Sequence, residues 1–69
     1  MNFVEVESSN IQGIQHDGTD LFVQFKTGAI YRYVNVPLSE FHALLDSDSK
    51  GKYLAKNIKN AYEARKEEV

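Results

Sequence analysis

Two tight-turn signatures ten residues apart, Asp17-Gly18 and Thr27-Gly28, constrain this chain most, because they cut it into short segments that must fold back on one another. Between and beside them lie NIQGIQH at 10–16, LFVQFK at 21–26 and AIYRYVNV at 29–36. The middle run alternates cleanly, with Leu21, Val23 and Phe25 on one face and Phe22, Gln24 and Lys26 on the other. In the first run Ile11 and Ile14 are three apart, and Gly13 between them is placed for a bulge that returns both to a common face. In the third run Tyr31 and Tyr33 share a face and Arg32 points away from it. Three strands joined by two tight turns predict an antiparallel meander.

Pro37, the chain's only proline, ends the third strand and suits the first turn of a helix. Leu38, Phe41, Leu44 and Leu45 then follow helical spacing. The break at 47–51 offers Ser47, Asp48 or Ser49 as a cap for a second helix, read here as 50–66. The fold class expected is α+β, β-β-β-α-α, with both helices on one face of a three-stranded sheet and the other face open. The 69 residues form one domain, with 1–7 and 67–69 expected to be flexible ends.

The net charge of −2 conceals an asymmetry. Lys26 and Arg32 are outnumbered by Glu5, Glu7, Asp17 and Asp20 in the first half, whereas Lys50, Lys52, Lys56, Lys59, Arg65 and Lys66 face only Glu63 over 50–66. On one helix, Lys52, Lys56, Lys59 and Lys66 would form a single stripe. No cysteine is present, so disulfides and thiolate metal sites are excluded. The start MNFVEVESS lacks the pattern of a signal peptide, and no apolar run approaches the ~18 residues of a membrane span. A cytoplasmic location is expected.

The ordered set SSNI at 8–11, the Asp17 turn, L-x-V-x-F at 21–25, G-x-x-Y-x-Y-x-x-V-P at 28–37, S-K-G-K-Y at 49–53 and I-K-x-x-Y at 58–62 resembles the KTSC domain family. That family takes its name from the C-terminus of some lysyl-tRNA synthetases and also occurs as free-standing small proteins of bacteria and phages. The resemblance implies no settled activity, and it implies RNA binding by association with a synthetase. Two positions depart from the family's pattern. His16 stands where tyrosine is common, and EARKEEV follows Tyr62 where proline and basic residues are usual.

Catalytic signatures are missing. His16 and His42 fall on different elements, and no phosphate loop, H-x-x-x-H or nucleophile elbow occurs. No enzyme activity, cofactor or metal site is expected. Two binding readings remain. In the first, RNA of a structured, tRNA-like kind is held by Lys50, Lys52, Lys56, Lys59 and Arg32, with Tyr31 and Tyr33 as stacking rings. In the second, the chain is a protein-interaction module, or a small phage or bacterial effector on a host protein, whose partner docks on the open sheet face at Phe22, Arg32 and Val34. The strand register decides which rings lie on that face, and it is left open by a period of two. A monomer or a weak homodimer through edge strands is expected.

Overall fold

The computed structural model describes residues 3–67. Its core is one antiparallel sheet of five strands in sequential order: β1 Val4–Glu5, β2 Ile11–His16, β3 Leu21–Phe25, β4 Ile30–Tyr33 and β5 Ala64–Glu67. Helix α1 spans Leu38–Asp46 and α2 spans Lys50–Tyr53, running on without a break into a wide π-type segment at Leu54–Ile58. There the Lys59 N–H reaches back five residues to the Leu54 carbonyl, at 2.7 Å.

The class is α+β as expected, but the three-stranded sheet is a correction: two further strands flank the meander. The chain leaves its helical course after Ile58, and the Val34 N–H donates to the Glu63 carbonyl at 2.8 Å before β5 pairs along β4. Residues 61–67 consist largely of good helix formers, yet joining the exposed edge of β4 satisfies backbone groups that water would otherwise have to serve. Arg65 and Lys66 therefore belong to a strand, not to a helical stripe. At the other edge, Val4 and Glu5 pair with Ile14 and Gly13. Of the ends read as flexible, Val4, Glu5 and Glu67 lie in strands, while residues 1, 2, 68 and 69 fall outside the described residues.

The bulge lies where the isoleucine spacing predicts it. The β2–β3 register shifts between Ile11 and Gly13, and both isoleucines are fully buried. Gly13 also lets β1 approach closely. A Cβ there would lie 2.9 Å from the Phe3 Cβ and 3.1 Å from the Val4 carbonyl oxygen.

Register fixes the faces. Leu21 pairs with Tyr33 and Val23 with Tyr31, so both tyrosines point to the helical side. They join Ile14, Val36, Leu44, Leu54 and Ile58 in or against the core. The opposite face carries Gln15, Phe22 and Arg32 as cross-strand neighbours. No helix among the described residues is long and apolar enough to cross a membrane.

The 16–20 turn is tied to the end of β4. Asp17 Oδ1 accepts from the Thr19 and Asp20 N–H groups at 2.9 and 2.7 Å, and Gly18 takes a positive φ of 103°. Those backbone bonds hold the Asp17 carboxyl below its ordinary range. His16 Nδ1 accepts from the Gly18 N–H at 3.0 Å, which puts the ring proton on Nε2, donating to the Val36 carbonyl at 2.6 Å. Asp20 Oδ1 accepts from the Asn35 N–H at 2.9 Å.

Candidate functional site: a groove between the second helix and the sheet

The helix of 50–58 does not lie flush on the sheet. Two adjoining clefts open between them, sharing a wall of Asn10, Gly51 and Ala55. One, of about 300 Å³, is bounded by Phe25, Tyr31 and Tyr33 on the sheet and by Leu54, Ala55 and Lys59 on the helix. The other, of about 440 Å³, runs between the 7–10 loop and the 48–52 turn.

Local sequence builds these walls. Ser8 turns the chain into β2: its Oγ accepts from the Asn10 and Ile11 N–H groups at 3.4 and 3.3 Å and donates to Asn10 Oδ1 at 3.1 Å. Gly51 permits the helix to approach this loop, since a Cβ there would lie 3.0 Å from Asn10 Oδ1. Lys50 is committed locally, its Nζ donating to the Ser47 carbonyl at 3.0 Å.

The sheet floor is aromatic. Phe25 and Tyr31 meet edge to face with ring centroids 5.6 Å apart. Tyr33 is only 4% exposed, so its ring is a wall and not an open stacking platform. Burial raises the Tyr33 phenol above its ordinary value, with the neighbouring Tyr31 adding to the shift. Neither Tyr31 nor Tyr33 hydroxyl has a hydrogen-bond partner among the described residues. The other two tyrosines are engaged. Tyr53 and Tyr62 both donate to the Glu40 carboxylate, Tyr62 at 3.5 Å, which ties α1 to α2 and to the chain after it.

The surface charge divides sharply. Lys52, Lys56, Lys59 and Lys66 are exposed, and among the described residues no carboxylate lies within ion-pair distance of them. Lys66 pairs across the ladder with Tyr31, so it leaves the sheet on the cleft side. On the far side of the sheet, Arg32 stands between Asp20 at 3.8 Å and Glu67 at 3.2 Å. Its Nε–H is not aimed at the Glu67 oxygen well enough to form a hydrogen bond, so the contact is electrostatic.

The structure thus gathers Lys50, Lys52, Lys59, Tyr31 and Tyr33 along one groove. Lys56 lies on the same helix but lines neither cleft. Arg32 is separated from all of them by the thickness of the sheet, on the face away from the tyrosines as the strand period predicts, so it does not join them in the groove. The face read for protein contact also changes: Phe22 is 6% exposed and Ile30 9%, so no bare apolar centre is present, and Val34 is half-buried with its N–H in a backbone bond. Asn10, Phe25 and Ala55 are groove residues that the sequence reading did not single out. For Asn10 the signal was its place in SSNI; for Ala55 there was none. Among the described residues no three His, Asp or Glu side chains gather as metal ligands.

Comparison with known proteins agrees with this architecture. A crystal structure of a KTSC domain protein from Yersinia pestis superimposes with a TM-score of 0.88 at 29% identity, over 97% of each chain. An uncharacterized protein of Stutzerimonas stutzeri (strain A1501) is 38% identical over 55 residues, covering 77% of this chain and 78% of its own. The family model described as the KTSC domain matches residues 7–62, a span that contains every groove residue named except Lys66, and the chain belongs to the KTSC domain family.

Proposed function

We propose that this domain is a non-catalytic RNA-binding module acting in the cytoplasm as a monomer, with the groove between the 50–58 helix and the sheet as its site. One observation carries the reading: Lys59 lines a cleft floored by aromatic side chains, and Lys52, Lys56 and Lys66, exposed like it and likewise without carboxylate partners among the described residues, stand on the same helix or on the strand beside Tyr31. Unpaired lysines release counterions from a phosphate backbone, whereas the attraction of paired ones is already taken up within the protein. The acids Glu7 and Asp48 line the neighbouring cleft, so phosphates are better accommodated toward Lys59 and Lys66 than between those two. The protein-contact reading of the opposite face has less support, because its apolar residues are covered and its arginine lies between two acids.

Salt tests this. If Lys52, Lys56, Lys59 and Lys66 each meet a phosphate, raising salt from 50 to 200 mM should weaken binding to single-stranded RNA by about 50-fold, following a slope of about −0.7 per contact. The double substitution Lys52→Glu/Lys56→Glu should lower that slope by about 1.4 and leave folding intact, because both side chains are exposed. Equal retention of both proteins in a filter-binding assay across that salt range rejects the proposal.

A further inference from the structure

We infer that the cleft floored by Tyr31 and Tyr33 receives one unstacked nucleobase, so that the ligand is single-stranded RNA, or an unpaired loop, in preference to a duplex. This rests on the RNA reading above and narrows it.

Shape is the first ground. The aromatic surface is recessed between helix and sheet in a space of about 300 Å³ and is not a flat platform. Bases inside an A-form duplex have both faces covered by their neighbours, and side chains read little of their edges in the deep, narrow major groove. Only a base released from its stack can enter a recess walled by Phe25 on one side and Leu54 and Ala55 on another.

Polarity is the second ground, and it stands independently of charge. Tyr33 is more than nine-tenths buried and lines the cleft, yet its hydroxyl has no partner among the described residues. Among the described residues, the enclosed polar atoms without partners are Gln15 Oε1 and Arg32 Nε, so the Tyr33 hydroxyl is not sealed away and stands at the cleft surface, where a ligand acceptor can take the place of water. Tyr31 brings a second hydroxyl, and Asn10, whose Oδ1 already accepts from Ser8, keeps its amide N–H groups to donate. Hydrogen-bond donors set among apolar walls match a planar ring bearing carbonyl and ring-nitrogen acceptors. A hydrocarbon would leave those donors unmet. A phosphate would find Lys59 as the one cation among the lining residues.

Placement of the cations is the third ground. Lys59 stands on the helical wall and Lys66 pairs opposite Tyr31, so ammonium groups border a seated base on both sides, where the flanking phosphates would run. Lys56 and Lys52 continue that track along the helix.

The test is fluorescence anisotropy with a labelled 12-nucleotide RNA of mixed sequence, alone and annealed to its complement, at one low salt concentration. The single strand should bind at least tenfold more tightly than the duplex. Ala55→Leu, which adds bulk at an exposed helix position lining both clefts, should weaken single-strand binding at least tenfold while the circular-dichroism melting curve is unchanged. Tyr33→Phe, which retains the ring and removes the hydroxyl, should weaken it several-fold. Duplex binding as tight as single-strand binding overturns the nucleobase inference and leaves the RNA reading standing. Binding to neither overturns both. A preference for single strands that Ala55→Leu does not alter removes the base from this cleft.

Discussion

The two faces of the sheet carry similar chemistry, aromatic rings beside basic groups, and they put it to opposite uses. On the face away from the helices, Phe22 is covered and Arg32 stands between Asp20 and Glu67. On the helical face, rings remain accessible at the rim of the core, and the lysines around them have no carboxylate within ion-pair distance among the described residues. A charge with a partner is part of the structure, and a charge without one is available to a ligand. What separates the two faces is therefore the pairing of the basic groups, not their number.

The largest expected difference between the faces is energetic. Ile58→Ala opens a void in the continuous core under the helix and should cost about 2–5 kcal/mol, a large fraction of the roughly 3–10 kcal/mol available to a chain of this size. Ile30→Ala, on the opposite face and outside that core cluster, should cost less than half as much. Urea unfolding of the two variants sets them side by side; equal costs would mean that the far face holds a second core.

Binding gives the next contrast. Arg32→Ala should change RNA affinity less than twofold, in contrast to the lysine double substitution. Its stability cost should stay within about 1 kcal/mol, as for other partly exposed ion pairs. A loss of affinity comparable to that of the lysine variant would bring the far face into the site.

The smallest effect concerns the tyrosines at high pH. Tyr33 titrates above the ordinary phenol value of 10.0 because it is buried. Tyr53 does so first because it donates to Glu40, and Tyr62 first because of burial and then because of the Glu40 charge. A raised folded value means that the stabilising contribution is complete below the unfolded value near 10 and is lost as pH rises through the folded one. Glu40→Gln should move Tyr53 and Tyr62 back toward the ordinary value and leave Tyr33 raised, as read from phenolate absorbance. No movement of Tyr53 or Tyr62 would show that burial, and not the carboxylate, governs them.

Much of the meander was legible because its signals are local. Asp17-Gly18 and Thr27-Gly28 mark turns by chemistry that needs no tertiary context, and the three-residue spacing of Ile11 and Ile14 marks the bulge by arithmetic. The face of Tyr31 and Tyr33 was not legible, since a strand read alone fits either side of the sheet equally well. β5 was hidden by helix-forming residues whose intrinsic preference is weaker than the demand of β4's unpaired edge, and β1 is too short to show a period. Among site residues, the lysines announced themselves by charge. Asn10 and Ala55 did not, because an amide in a polar loop and a methyl on a helix become groove walls only when the fold brings them together.

The wide segment at Leu54–Ile58 has a geometric consequence of its own. In a regular helix Lys52, Lys56 and Lys59 would share one azimuth, whereas here an extra residue per turn rotates the positions beyond it, so that Lys59 overlooks the cleft while Lys56 does not. Deleting a single residue within that segment would restore regular winding and leave this amine over the cleft, because the five steps from Leu54 to Lys59 cover the arc that four cover in an α-helix. The helix can thus lose one codon at this point while the residues that follow keep their bearing on the sheet.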